Sequence, residues 1–101
     1  MELLTKELET SLPMIGATHS QADPVVVVKF FDPCGSWTWY ATEYDPCRRE
    51  FFGFVRGFEE ELGYFSLDEL LSVKNRLGLG IERDLQWEPT PLSRIMSGES
   101  R

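Results

Sequence analysis

The sequence predicts a single α+β domain: an antiparallel meander sheet of about five strands, one main helix and short terminal helices, packed mainly on one face. Three strand-like runs, VVVVKFF, WTWYATEY and EFFGFVRG, follow one another and are separated only by turns that contain Asp-Pro-Cys. Short turns join antiparallel neighbours. All tyrosines and phenylalanines lie between residues 25 and 65, so one sheet holds most of the aromatic side chains. The 101 residues, 42% of them hydrophobic, suffice for one core, so residues 1–101 are expected to form one domain.

The N-terminal segment predicts a short amphipathic helix before Pro13, with Thr5 available as its cap. Its apolar side chains recur at helical spacing: Leu3, Leu4, Leu8 and Leu12. Residues 13–24 show no periodicity and predict a loop. That loop contains His19, which we expect to be exposed to solvent rather than catalytic. The run VVVVKFF predicts a central strand, because only Lys29 interrupts it.

The second and third strands predict a sheet face that combines aromatic and charged side chains. An alternation of period two places Trp37, Trp39 and Glu43 on the same side of the second strand. The expected face comprises Lys29, Phe31, Trp37, Trp39, Glu43, Phe52, Phe54 and Arg56. The alternative is that helices cover this face and that both tryptophans belong to the core.

The C-terminal half predicts one further strand, a principal helix, a last strand and a short helix. The segment FEEELGYF favours a fourth strand, and Ser66 with Glu69 forms a capping box that opens the helix LDELLSVKNRL, closed by Gly78 and Gly80. The segment IERDLQW favours a last strand. Thr90 followed by Pro91 is typical of a helix start, and residues 97–101 should form a frayed tail.

The charge balance argues against nucleic-acid binding. Seventeen acidic against ten basic residues give a net charge of −7, whereas phosphate binding needs clustered Lys and Arg. A merely solvated acidic surface is the simpler alternative. The first residues lack the pattern of a secretory signal, and no apolar run approaches the roughly 20 residues that span a bilayer. We therefore expect a cytoplasmic protein without membrane contact.

No set of residues predicts catalysis, a metal site or a cofactor. Cys34 and Cys47 bracket the second strand and should lie about 25 Å apart, which excludes a disulfide. His19 is the only histidine, and no CxxC motif is present, so metal binding is not expected. Glu43 and Glu50 come closest to a carboxylate pair, but a solvated hairpin end explains them better. We expect no enzyme.

Residues 29–73, continued by residues 77–93, resemble a bacterial and mobile-element family, the domain of unknown function numbered 2958. The segments that carry the resemblance are VKFF, WTWY, FGFV, ELGYFSL and IERDL. The resemblance implies a small bacterial protein associated with plasmids, phages or integrated elements, and it implies no substrate or catalytic residue.

Two functions stay open at this point. The first is a non-enzymatic, acidic protein-binding module, an inhibitor from a mobile element that blocks a basic nucleic-acid-binding site on a host anti-phage complex, in the manner of anti-CRISPR or anti-restriction proteins. The second is a small ligand-binding or hydrolytic accessory protein that acts through a Trp-lined face. The candidate partner-binding residues are Glu59, Glu60, Glu61, Asp68, Glu69, Trp37, Trp39 and Arg56. The oligomeric state is left open.

Overall fold

The structure is a computed structural model that describes residues 2–98. Its helices and strands are short and follow this order along the chain: α1 (Lys6–Ser11), β1 (Val25–Val26), β2 (Val28–Phe31), β3 (Thr38–Asp45), β4 (Glu50–Arg56), β5 (Glu60–Ser66), α2 (Leu67–Ser72), β6 (Glu82–Arg83), β7 (Thr90–Pro91) and α3 (Leu92–Met96). Five strands form an antiparallel sheet in the order β5-β4-β3-β2-β6, and β1 pairs separately with β7. The predicted α+β class and the meander are confirmed.

Both Asp-Pro-Cys turns form as the sequence predicts. The Asp32 carboxylate accepts a hydrogen bond from the Cys34 amide, and the Asp45 carboxylate accepts one from the Cys47 amide, both at 2.9 Å. An aspartate that bonds the backbone two residues on stabilises a turn locally. These two turns connect β2 to β3 and β3 to β4, and they set the order of the meander.

The central strand β3 contains an irregularity that the sequence did not predict. Its pairing with β4 shifts between Ala41 and Glu43, so that Ala41 lies opposite Gly53 and Glu43 lies opposite Phe52. A Cβ atom at Gly53 would lie 1.8 Å from the carbonyl oxygen of Tyr40, so only glycine allows this close approach. A bulge moves the following side chains to the other face of the sheet. The predicted alternation is therefore wrong after Ala41, and Glu43 does not share a face with Trp39.

The two faces of the sheet carry separate cores. On the back face, α1, α2 and the N-terminal leucines cover Phe30, Ala41 and Phe51. On the front face, α3 and Trp87 cover the rings of Tyr40 and Phe54 together with Val26; the buried α3 residues there are Leu92 and Ile95. Two of the three helices, α1 and α2, thus pack on one face as expected, and α3 returns over the opposite face.

The principal helix is shorter than predicted. Its start is confirmed, since the Ser66 hydroxyl accepts a hydrogen bond from the Glu69 amide at 3.2 Å. However, α2 ends at Ser72, and the backbone of Val73 is extended. The Asn75 side chain accepts hydrogen bonds from the amides of Leu77 and Leu79 and so stabilises a turn in place of further helix.

The last predicted strand and the terminal helix also differ from the prediction. The segment IERDLQW contributes only the two residues of β6, because the chain then turns, with the Asp84 carboxylate accepting from the Gln86 amide at 3.0 Å. Thr90 lies in β7 and does not cap α3. The distant Asp23 instead accepts from the Ser93 amide at 2.9 Å. Residues 97 and 98 form a turn, and the rest of the predicted tail lies outside the described residues.

Candidate interaction surface

Three aromatic side chains form an open patch at one end of the back face. The rings of Trp37 and Trp39 stack with centroids 5.9 Å apart, and Phe58 makes an edge contact with Trp37 at 5.4 Å. Both tryptophans are half-buried, whereas Phe58 is 94% exposed. We call Trp37, Trp39 and Phe58 the aromatic patch. A phenylalanine so fully exposed beside two further rings is typical of an interaction surface rather than a core.

The local backbone explains why Phe58 projects. The Gly57 amide donates a hydrogen bond to the Glu59 carbonyl at 3.0 Å and closes the turn between β4 and β5. A Cβ atom at Gly57 would lie 2.3 Å from the Trp37 ring, so the absence of a side chain lets that ring lie against the backbone. The turn therefore holds Trp37 in place and carries Phe58 outward.

Two glutamates border the aromatic patch. Glu59 and Glu61 line a shallow hollow of about 270 Å³ together with Trp37, Val55 and Phe58. Across residues 2–98, neither glutamate forms an ion pair with a lysine or arginine. Four of the predicted partner-binding residues, Trp37, Trp39, Glu59 and Glu61, thus lie at one end of the sheet and combine exposed aromatic surface with negative charge.

Arg56 and Glu60 lie on the opposite, front face. Arg56 pairs with Thr38 across the strands and donates from Nε to the Glu60 carboxylate at 2.8 Å and from Nη2 to the Ile95 carbonyl at 2.7 Å. Its guanidinium also lies over the ring of Phe54, 5.5 Å from the centroid. Arg56 therefore links α3 to the sheet and lies on the opposite face from Trp37 and Trp39.

The predicted aromatic and charged face is consequently divided between the two faces. Tyr40 of β3 pairs with Lys29 of β2 and with Phe54 of β4. Lys29 and Phe54 therefore share the front face with Tyr40. Trp39 lies opposite Phe30 and belongs to the back face. Residues directly opposite in neighbouring strands share a face, which excludes the expected grouping.

Asp68 and Glu69 do not join the acidic cluster at residues 59–61. The strand β5 separates them, and its seven residues at about 3.3 Å each extend over about 20 Å. The candidate partner-binding acids therefore do not form one cluster, because the intervening residues are extended. Asp68 is also engaged in an ion pair with Arg49 at 2.9 Å.

Glu43 is the polar residue whose role the sequence did not reveal. It is only 3% exposed, and its carboxylate accepts hydrogen bonds from the amides of Gly16 and Thr18 at 2.8 Å and from the Thr18 hydroxyl. Burial alone would raise the pKa of Glu43, but the hydrogen bonds from Thr18 and Gly16 outweigh it and the pKa is lowered. The ionised carboxylate holds the loop of residues 13–24 against the sheet.

The structure also gives the positions of Glu50, His19 and the two cysteines. Glu50 lies opposite Asp45 rather than Glu43, and the two glutamates do not form a pair. His19 is exposed, as expected, and both cysteines are free and exposed. Residues 2–98 contain no group of three side chains suited to a metal ion, and no helix in this range is long and apolar enough to cross a membrane.

A family model described as "Protein of unknown function (DUF2958)" matches residues 3–97. The chain belongs to this family. The match confirms the resemblance seen in the sequence. No curated protein and no solved structure matches the chain.

Proposed function

We propose that this member of the family is a non-enzymatic protein-binding module whose aromatic patch, with Glu59 and Glu61, receives basic side chains of a partner protein. The observation that carries the proposal is the 94% exposure of Phe58 beside the stacked tryptophans. Aromatic side chains and arginine concentrate binding energy at protein interfaces, and truncating such an anchor costs about 2 kcal/mol or more. Phe58 and Trp37 are the proposed anchors.

The chemistry of the patch favours a cationic partner. A lysine or arginine side chain placed over the face of a tryptophan is attracted by the ring, and a nearby carboxylate adds a charge-assisted hydrogen bond. Glu59 and Glu61 provide such carboxylates without an ion-pair partner within residues 2–98. The net charge of −7 would steer a basic surface toward the chain and repel nucleic acid.

We further propose that the partner is a nucleic-acid-binding protein of a host anti-phage complex and that the chain acts as an inhibitor from a mobile element in the cytoplasm. Support comes from the acidity of the chain and from the mobile-element setting that the family resemblance implies. A carboxylate beside an aromatic ring can occupy a site that a phosphate and a stacked base would otherwise fill. The oligomeric state does not enter this proposal.

The alternative, a ligand-binding or hydrolytic protein acting through a Trp-lined face, receives less support. The hollow beside Trp37 is shallow, at about 270 Å³, and holds no buried carboxylate. Within residues 2–98 the buried carboxylate is that of Glu43, which lies on the other face and is engaged in three hydrogen bonds. General acid or base catalysis would need a carboxyl group whose pKa is raised toward neutrality, and that of Glu43 is lowered.

Capture from a nuclease-treated bacterial lysate tests the proposal. Immobilised wild-type chain should retain a basic protein that the Phe58→Ser variant does not retain. Met14→Ser is the matched control, because Met14 is a 71% exposed hydrophobic residue beside Pro13, whose carbonyl accepts from the Tyr44 amide at the end of β3 opposite to Trp37. Equal capture by Phe58→Ser and wild type would contradict the proposed anchor.

Two double variants distinguish the local effect of Glu59 and Glu61 from the effect of net charge. Glu59→Lys/Glu61→Lys should abolish capture, while Glu69→Lys/Glu88→Lys, with the same change in net charge at distant exposed positions, should retain it. Wild-type affinity should also weaken as salt rises. If both double variants lose capture of the partner to the same extent, attraction by net charge rather than by the aromatic patch explains the interaction.

A further inference from the structure

A second cavity lies on the front face, distinct from the aromatic patch. It has a volume of about 540 Å³, within the size range of small-molecule sites. Its floor is formed by Phe52 of β4 with Leu62 and Tyr64 of β5, and α3 forms one wall. The loop of residues 16–24 forms the other wall. We call this cavity the front cleft.

The front cleft is open because α3 covers only part of the sheet. The helix packs on Tyr40 and Phe54, but within residues 2–98 no helix or strand covers the next part of the face, toward β5. As a result Leu62 is 51% exposed and Tyr64 is 60% exposed, and the Tyr64 ring makes an edge contact with Phe52 at 5.0 Å. Contiguous apolar side chains left open beside a cavity mark a binding site more often than a bare surface.

The front cleft contains one carboxylate, that of Glu43. The exposed side chain of His19 lies in the same lining and contributes to the lowered pKa of Glu43. The three hydrogen bonds to Glu43 come from neutral donors, while an ionised carboxylate can accept about four. Across residues 2–98 no lysine or arginine forms an ion pair with it. A mostly apolar cleft thus contains a buried carboxylate that no lysine or arginine of residues 2–98 neutralises in an ion pair.

We propose that the front cleft binds a small organic cation, namely a protonated amine on an apolar body. The ammonium group is attracted to the Glu43 carboxylate, and the apolar body lies over Phe52, Leu62 and Tyr64. A neutral ligand of the same shape lacks the charge attraction, and a carboxylate ligand is repelled by Glu43. The site does not depend on the aromatic patch, which lies on the back face.

Three probes with the same phenyl and butyl groups test this inference: 4-phenylbutylamine, 4-phenylbutan-1-ol and 4-phenylbutyrate. Binding is followed at pH 7 by NMR through the methyl signals of Leu62 and Met96 and the ring signals of Tyr64. We expect the amine to bind about tenfold more tightly than the alcohol, and the acid to bind least, because one charge contact in a partly desolvated site has about this effect. Equal binding of amine and acid, or no shift at these residues, would overturn the proposal.

Substitutions at Glu43, Leu62 and Phe58 test where the probes bind and which charged group they recognise. Glu43→Gln should abolish the preference for the amine over the alcohol. Leu62→Lys, at an exposed position of the cleft, tests where the charged end of the probe lies: the added ammonium group should weaken binding of the amine and strengthen binding of the acid. Failure of Leu62→Lys to change the order would contradict the inference. Phe58→Ser should leave all three affinities unchanged, and a loss there would assign the probes to the aromatic patch instead.

Discussion

Glu43 should stabilise the protein by holding the loop of residues 13–24 on the sheet, and Glu43→Ala tests this directly. The substitution removes the acceptor of three hydrogen bonds, two from backbone amides and one from the Thr18 hydroxyl, at a site that is only 3% exposed. Leaving buried donors without a partner costs about 1–3 kcal/mol, and more where the partner was charged. Because the loop can partly open to water, we expect a loss of about 3 kcal/mol in the free energy of unfolding.

Urea denaturation followed by tryptophan fluorescence measures this loss. Thr18→Val is the matched control, since it removes one donor of the set and should cost about 1 kcal/mol. Combined with Glu43→Ala, it should add little further destabilisation, because the two residues share one network. A Glu43→Ala variant within about 0.5 kcal/mol of wild type would refute the reasoning.

The pH dependence of stability follows from the lowered pKa of Glu43. A carboxyl group whose pKa is lower in the folded than in the unfolded state binds fewer protons when folded. Its contribution is complete above the ordinary glutamate pKa of about 4.3 and is lost as the pH falls through the folded-state value. Wild type should therefore lose stability below about pH 5, and Glu43→Gln should lose less over the same range.

Three further predictions concern other parts of the fold. Ser66→Ala should lower the free energy of unfolding by about 1 kcal/mol in urea denaturation, because the hydroxyl caps the start of α2; an unchanged midpoint would show that water replaces the cap. Gly57→Ala should displace the Trp37 ring, which a Cβ atom would approach to 2.3 Å, and should change the near-ultraviolet circular dichroism while the far-ultraviolet spectrum stays the same; an unaltered near-ultraviolet spectrum would contradict the packing. Cys34 and Cys47 should both alkylate in the native protein when measured by mass spectrometry, because both are exposed and free, and a protected pair would contradict the order of the strands.

The parts of the fold that the sequence predicted are those that local chemistry determines. The Asp32 and Asp45 turns and the caps at Thr5 and Ser66 each depend on a side chain that bonds a backbone amide two or three residues on. Such contacts require nothing from distant residues. They place the hairpins and the starts of two helices, and with them the antiparallel order.

The features that the sequence did not predict depend on contacts between distant segments. The bulge after Ala41 lies where Gly53 leaves room for the Tyr40 carbonyl, and these two residues are far apart along the chain. The Asn75 side chain stabilises a turn where the sequence predicted further helix, and it also donates a hydrogen bond to the Asp32 carboxylate at 3.1 Å. Neither contact is visible in the periodicity of either segment alone.

The sequence predicted part of the candidate site, namely the part that depends on the order of the strands. Trp37, Glu59 and Glu61 come together because the β4–β5 turn lies beside the start of β3, a neighbourhood that follows from the predicted meander. The bulge decides which face carries Glu43, and the register that places Arg56 opposite Thr38 decides which face carries Arg56. Alternation along single strands could not show either. One signal was available: a glutamate within a strand of otherwise apolar and aromatic residues needs a polar partner if it is buried.

Recognition of basic side chains by the aromatic patch can be measured through the indole NMR signals of the three tryptophans. Trp87 serves as an internal control, because its ring nitrogen donates to the Val26 carbonyl at 3.1 Å on the front face. An NMR titration with an Arg-Gly repeat peptide should shift the indole signals of Trp37 and Trp39 and leave that of Trp87 in place, whereas the same peptide with citrulline for arginine should shift none. Equal shifts with the citrulline peptide, or a shift confined to Trp87, would contradict the account.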